Sequence, residues 1–214
     1  MQVPSSDIVI QLAFLLLTFA IFLVIYNLPK TAFSKLRSNS RAASQSSRHF
    51  LNGAQLLSRA RSTRNRSAAE SLAKEAVAEA DIAISLLPRD AAALILRALA
   101  LEHLGRRTSA LRSLDSALTS PASKSLSARE RGDALVKRAE LQLGVNRRRR
   151  VDSALSDLVE GLSLTRDNSK AFCLLGQCYE MKGMRNEACA AFDEALNIEP
   201  ESTVAREGLD RLRS

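Results

Sequence analysis

The chain of 214 residues contains no Trp, few aromatic residues and few Gly or Pro. No stretch of it shows the alternation of apolar and polar residues that is typical of a half-buried strand. Ala, Leu, Arg and Ser dominate instead, which favours an array of helices that meet through small side chains. The composition therefore predicts an all-α protein.

Residues that usually carry catalysis or metal binding are also scarce. The two histidines, His49 and His103, are far apart in sequence, and there is no Gly-rich phosphate loop, nucleophile elbow or cluster with metal-ligand spacing. The sequence therefore predicts no enzyme activity, no cofactor and no metal site. The cysteines lack CxxC spacing and a nearby His, which favours reduced thiols: Cys173, Cys178 and Cys189.

The net charge of +8 is concentrated in one segment. Residues 30–66 contain Lys and Arg but no Asp or Glu, whereas residues 67–214 are close to neutral. A nucleic-acid-binding domain would carry its basic residues on its folded part and interleave them with aromatic ones. Nucleic acid is therefore an unlikely partner.

Residues 8–26 form the only long apolar run, interrupted by Gln11 and Thr18. Its length of about 28 Å at 1.5 Å per residue matches a bilayer core, which predicts a transmembrane helix. A cleaved signal peptide fits less well, because no basic segment precedes the run and no small-residue cleavage site follows it.

The charges that flank this run predict its orientation. Residues 1–7 are short and polar, whereas the basic, Ser-rich residues 27–47 are predicted to form an irregular linker. The positive-inside rule then leaves the carboxy-terminal bulk in the cytosol and the sequon at Asn65 unused. The chain looks like a signal-anchored protein, of either the endoplasmic reticulum or a chloroplast or mitochondrial outer membrane.

Residues 169–202 carry the clearest pattern of the chain. Phe172, Leu175, Gly176 and Tyr179 have helical spacing, Gly183 interrupts the pattern, and a second apolar face ends at Pro200, with these members: Ala188, Phe192 and Ala195. Small residues stand where two antiparallel helices approach each other closely. This stretch resembles the tetratricopeptide repeat (TPR), a helical hairpin of about 34 residues, with Phe172 in place of the usual Trp.

The resemblance implies a solenoid of about four helical hairpins. The predicted units are 48–88, 91–124, 127–165 and 169–202, followed by a solvating capping helix over 202–214. Ser67 with Glu70, and Ser127 with Glu130, are predicted capping boxes that start helices in the first and third units. About three extra residues in the third unit are predicted to lie in its turn, within residues 145–150.

The resemblance also implies a function, because first helices of successive TPR units line a groove that binds peptides or partner helices. Candidate groove residues are Leu99, Lys137, Lys170 and Gln177. Lys170 matches one position of the clamp for chaperone carboxylates, but Ile95 and Leu99 stand where that clamp needs Lys and Asn, so the clamp is not supported. We therefore expect a membrane-anchored adaptor that binds protein partners.

Several alternatives stay open on the sequence alone. The chain could be a structural subunit of a membrane complex, an organellar receptor for precursor proteins or an RNA-associated membrane protein. The basic loop predicted at Arg147, Arg148, Arg149 and Arg150 is either a solvated turn or a contact surface. Ser109 follows two arginines, as in the site of a basophilic kinase.

Overall fold

The computed structural model describes residues 5–213, without the side chains of residues 5–10, 12–13, 20 and 22–40. The chain divides into an amino-terminal unit that ends at Gln45 and a carboxy-terminal unit that begins at Ser46. The described residues form helices and no strand, as predicted. The helices are α1 (Ser5–Ser62), α2 (Arg66–Leu86), α3 (Ala91–His103), α4 (Arg107–Leu118), a 3-10 turn (Ala122–Ser125), α5 (Ala128–Leu164), α6 (Ser169–Met181), α7 (Arg185–Ile198) and α8 (Thr203–Arg213).

The amino-terminal unit consists of the first part of α1. Among the described residues, no helix combines the length and the hydropathy that a membrane crossing requires. Most side chains of the predicted span 8–26 lie outside the described residues, which there include only Gln11, 14–19 and Ile21. The predicted linker over 27–47 has a helical backbone instead, because the stretch contains no Gly and its only Pro, Pro29, lies near its start.

The carboxy-terminal unit is a linear stack in which each helix packs mainly against its neighbours in sequence. Its buried residues form a series of small clusters along the stack rather than one central core. The second helices contribute mostly alanine, such as Ala76 and Ala80 of α2, both fully buried. Small side chains let the helix axes approach closely. Contacts mainly between neighbouring helices, repeated along the chain, are typical of a solenoid.

Two hairpin turns and one connection between hairpins follow from short-range signals. Gly105 between α3 and α4 and Gly183 between α6 and α7 have φ of 72° and 74°, a conformation that glycine adopts without strain. The capping box of Ser127 and Glu130 starts α5 as predicted. At the start of α2, however, the cap is Asn65 and the predicted box of Ser67 and Glu70 is wrong, because the Asn65 side chain already accepts from the Ala68 amide.

The third hairpin departs from the prediction. The predicted basic loop over Arg147–Arg150 is wrong, because α5 is helical except at Asn146, where φ is −155° and ψ is 90°. That residue divides α5 into a first arm (128–145) and a second arm (147–164). The Asn146 side chain accepts from the Arg149 amide at 3.1 Å and so caps the second arm. Arginine favours a helix, so the residues that follow Asn146 continue the chain as a helix rather than as a loop.

Candidate functional site

A groove of about 570 Å³ runs across the first helices of the first three hairpins. Each of these helices contributes residues at helical spacing, so that one face of each helix lines the groove. We call this cavity the groove. Its lining residues are Phe50, Ala54, Leu57, Ser58 and Arg61 of α1, Ala92, Ile95, Leu96 and Leu99 of α3, Leu126, and Glu130, Asp133, Ala134 and Lys137 of α5.

The floor of the groove is apolar and its two ends differ in charge. Ile95 and Leu99 are only partly buried against the solenoid, so apolar surface remains open to a ligand. Glu130 and Asp133 lie in the first two turns of α5, whereas Arg61 lies in the last turn of α1. First helices of successive hairpins run in the same direction, so the groove has an acidic end and a basic end.

The predicted groove residues divide between two cavities. Leu99 and Lys137 line the groove. Lys170 and Gln177 line a separate cavity of about 480 Å³ between α6 and the start of α8. The structure therefore brings together only two of the four predicted residues at one place.

A chain of ion pairs connects these two regions. The Lys137 ammonium group lies 3.0 Å from Glu102 and 2.9 Å from Glu140, and Lys170 lies 2.6 Å from Glu140. Burial alone would disfavour charge on Lys137, but its hydrogen bonds with Glu140 and Glu102 outweigh burial and raise its pKa. Burial alone would raise the pKa of Glu140, but the hydrogen bonds from Lys170 and Lys137 outweigh burial and lower it.

These ion pairs change how the two lysines can act. Both ammonium groups already have carboxylate partners within the solenoid, so a ligand would have to compete for them. The net charge of Glu102, Lys137, Glu140 and Lys170 together is zero. The apolar floor and the two charged ends of the groove are therefore better recognition elements than Lys137 and Lys170.

The α1 face of the groove was missing from the predicted site. Phe50, Ala54 and Leu57 have helical spacing in the sequence, and that spacing was the available signal. The interruption at residues 62–66 means that the first half of the unit 48–88 matches the repeat only with an insertion, whereas its second half matches well. The contribution of α1 to the groove became evident only from the packing of Leu57 with Leu96 and Ala100 of α3.

Arg147–Arg150 lie outside the groove, in the first turn of the second arm of α5. Three of them are exposed and Arg150 is half-buried. Nearby, the Arg107 guanidinium donates to the Gly144 carbonyl at 3.3 Å, which joins the second and third hairpins at this end. Ser109 is the third residue of α4 and is half-buried.

The remaining nucleophilic and titratable groups have structural surroundings. Cys178 is fully buried, and its burial raises the thiol pKa to about 11, which keeps it protonated near neutral pH. Cys173 is buried and Cys189 is half-buried. His49 hydrogen-bonds Glu79 at 2.7 Å and so joins α1 to α2. Within residues 5–213, no group of His, Cys, Asp and Glu side chains is arranged to hold a metal ion.

Comparison with known proteins gives the repeat type. The family model for the tetratricopeptide repeat matches residues 169–202. No curated protein matches the chain closely enough to count as a relative.

Solved structures resemble most of the chain. A crystal structure of MamA protein superposes with a TM-score of 0.63 at 14 % identity, over 78 % of this chain and 80 % of that one. MamA 41-end from Desulfovibrio magneticus RS-1 superposes with a TM-score of 0.54 at 16 % identity, over 74 % and 93 %. YrrB, a TPR protein with an unusual peptide-binding site, superposes with a TM-score of 0.52 at 18 % identity, over 65 % and 76 %. These likenesses show that the chain has the fold of a TPR solenoid.

Proposed function

We propose that this protein is a membrane-anchored TPR adaptor that binds a partner polypeptide in its groove. The observation that carries the proposal is the open apolar floor formed by Ile95 and Leu99 between the acidic and basic ends of the groove. An amphipathic helix fits such a surface, because residues at i, i+3, i+4 and i+7 of the helix meet the floor while its polar face stays in water. The peptide-binding site of YrrB, a protein of the same fold, supports this use of the solenoid.

Site-specific photo-crosslinking in living cells tests the groove. A photoreactive residue in place of Leu99 should crosslink to a discrete protein partner. The same residue in place of Ile82 is the matched control, because Ile82 is an exposed apolar residue of α2 that does not line the groove. Equal labelling from the two positions would contradict binding in the groove.

The crosslink should also depend on the apolar floor. With the photoreactive residue kept at Leu99, Ile95→Asp should remove the crosslink and Ile82→Asp should leave it. Only Ile95→Asp removes an apolar contact from the groove and places a charge against the apolar face of the partner. A crosslink that survives Ile95→Asp would place the partner elsewhere.

The membrane anchor is part of the proposal and rests on the apolar run 8–26 with basic residues after it. Confinement to a membrane raises the local concentration of a bound partner there, which is how an anchored adaptor acts. Two lysines near the centre of a spanning helix cost about 2.5–3.5 kcal/mol each on insertion scales. Leu16→Lys with Leu17→Lys should therefore release the protein into the alkaline extract of membranes.

The control for release is Ile82→Lys with Val159→Lys, which adds the same charge at exposed apolar sites of the solenoid. This variant should stay with the membrane pellet.

Protease added to intact organelles should degrade the carboxy-terminal unit, and Asn65 should carry no sugar, because the proposal places that unit in the cytosol. A glycosylated Asn65 would reverse the orientation. Fractionation decides between the endoplasmic reticulum and an organellar outer membrane.

A further inference from the structure

The turns within the four hairpins carry basic side chains along one edge of the solenoid. These turns follow the first helices, whereas the connections between hairpins lie at the opposite edge. We call the side chains at the first set of turns the basic edge. Its members are Arg59, Arg61, Arg64, Arg66, Arg106, Arg107, Arg147, Arg148, Arg149, Arg150, Lys182 and Arg185.

The opposite edge has no such bias. Its connections contain Arg89, Lys124 and Arg166, together with Asp90, Asp167, Glu199 and Glu201. When four residues of each adjoining helix are included, the opposite edge has seven basic and six acidic residues, whereas the basic edge has twelve basic residues and three acidic ones, Glu102, Glu180 and Glu187. The near-neutral sequence of residues 67–214 thus hides a charge asymmetry that the fold creates. Helical hairpins of quite different sequence direct their basic turns to the same side, because every first helix points the same way.

The basic edge is exposed and mostly free of internal partners. Every member is exposed except the half-buried Arg150. Among the described residues only two members have acidic partners, Arg66 with Glu70 at 3.2 Å and Lys182 with Asp152. The Arg107 contact with Gly144 and the Lys182 pair with Asp152 hold the last three turns side by side. The edge is therefore a continuous surface across these hairpins.

The position of these arginines opposes helix stability. Arg66, Arg107, Arg147 and Arg185 are the first residues of the second helices, where the helix dipole favours negative charge. The caps of α4 and α7 also make no side-chain hydrogen bond. An anionic ligand would relieve both the repulsion among the arginines and their conflict with the helix dipoles.

The groove indicates which class of anion fits. Arg61 belongs both to the basic edge and to the lining of the groove, so the two surfaces are continuous. A polypeptide can place apolar side chains in the groove and carboxylates on the edge at the same time. A nucleic acid backbone presents phosphates and sugars but no apolar side chain, and the acyl chains of a bilayer lie beneath its headgroups. The turns of the basic edge also contain no aromatic residue on which bases could stack.

We propose that the partner polypeptide has an apolar helical segment for the groove followed by an acidic segment that lies across the basic edge. This inference rests on the proposed function, because it names the partner of the same groove. Successive first helices are in direct contact, as Leu57 with Leu96 shows, so the turns that follow them lie one helix spacing of about 10 Å apart. An extended acidic segment therefore needs roughly three residues to reach from one turn to the next. The guanidinium groups of the basic edge suit this partner, since each can bind a carboxylate through two hydrogen bonds.

Two synthetic peptides test the proposal on the full chain in nonionic detergent. Both begin with the same amphipathic helix, and one continues with glutamates where the other has glutamines. The protein should bind the glutamate peptide roughly tenfold more tightly at about 50 mM salt, and this preference should vanish at about 500 mM, where exposed charges are screened. Fluorescence anisotropy measures both affinities. Equal binding of the two peptides at low salt would overturn the proposal.

Matched variants locate the preference on the molecule. Replacing Arg147, Arg148 and Arg149 together with Gln should abolish most of the preference while the thermal midpoint stays the same or rises. Replacing Arg89, Lys124 and Arg166 with Gln removes equal charge from the opposite edge and should leave the preference intact. A lower midpoint in the first variant would mean that the arginines support the fold, and the proposal would be overturned.

The proposal for the groove and the proposal for the basic edge can be tested separately. Leu99→Gln should weaken both peptides equally and keep the preference for glutamate. If it changes neither affinity, the groove proposal fails and the edge stands. If an RNA oligonucleotide or phosphatidylserine vesicles bind the basic edge while the two peptides bind equally, the edge proposal fails and the groove stands.

Discussion

Gly176 of α6 and Phe192 of α7 are in close contact within the last hairpin. A Cβ atom at Gly176 would lie 2.7 Å from the Phe192 ring, and one at Gly208 of α8 would lie 2.6 Å from it. Phe192 is fully buried between these two glycines. One aromatic ring thus fixes the distances among α6, α7 and α8.

Gly176→Ala should therefore lower the free energy of unfolding by about 1–3 kcal/mol, because a rigid ring cannot move aside in a packed core. Urea unfolding followed by circular dichroism measures the loss. Gly144→Ala is the control, since its Cβ would meet only the flexible Arg107 side chain at 3.7 Å. Helix propensity alone should make that variant more stable by about 0.5–1 kcal/mol. Equal effects of both substitutions would show that crowding at Phe192 is not the cause.

Glu140 is the residue at which acid should act on the ion pairs between α5 and α6. Its pKa is lowered in the folded state because the bonds from Lys170 and Lys137 outweigh burial. The ionised carboxylate therefore stabilises the fold at pH values above its unfolded pKa, and this contribution is lost as the pH falls through the folded pKa.

The stability of the wild type should accordingly decrease on acidification below about pH 4.5, and Glu140→Gln should decrease less over the same range. Chemical unfolding at a series of pH values gives the two slopes. Asp193→Asn is the control, because Asp193 is exposed and pairs with no basic residue in the described part of the chain. A slope for Glu140→Gln that matches the wild type would exclude the ion pairs as the origin.

The bend of α5 is the main irregularity among the helices of the solenoid. The two arms form a hairpin although a single residue, Asn146, departs from helical geometry. The Asn146 side chain caps the second arm, so no additional loop separates the two arms. The arginines that follow then lie on a helix start rather than in a loop, which fixes the spacing of that part of the basic edge.

Asn146→Ala should destabilise the third hairpin by about 1 kcal/mol, because the cap of the second arm is lost. Asn146→Asp should match or exceed the wild type, since a carboxylate caps equally well and its charge is favourable at the start of a helix. Thermal unfolding of the two variants separates these outcomes. If Ala and Asp at this position behave alike, the bend does not depend on capping.

At the scale of the whole molecule, α8 closes the described stack. Ala205 and Leu209 of α8 are buried in the cluster that contains Phe192. Arg211 of α8 makes two hydrogen bonds to Glu180 of α6, at 3.1 and 3.0 Å. The helix covers apolar surface that a further repeat would otherwise cover.

Deletion of residues 203–214 should expose one side of Phe192 and lower the unfolding free energy by about 1.5–3 kcal/mol, the usual contribution of a large buried apolar side chain. Binding of a hydrophobic dye and urea unfolding report the two effects. Arg211→Gln keeps the apolar cover and should cost no more than about 1 kcal/mol, as for other half-exposed ion pairs. A deletion no more harmful than Arg211→Gln would show that α8 is dispensable.

Local sequence signals determined most of the fold. The apolar face of Phe172, Leu175 and Tyr179, the break at Gly183 and the capping box at Ser127 all act within one or two helical turns. Periodicity and turn chemistry therefore predicted the helices and the repeat type directly. The same signals did not separate Asn65 from Ser67 as the cap of α2, because both residues favour that position.

Only the tertiary structure decided the site. Lys137 and Glu102 are 35 residues apart, the faces of α1, α3 and α5 that form the groove are farther apart still, and no local pattern reports such distances. The bend at Asn146 replaced an expected loop because capping and packing together outweighed the inserted length. The charge on the basic edge is scattered along the sequence, and the common direction of the first helices is what brings it to one side of the molecule.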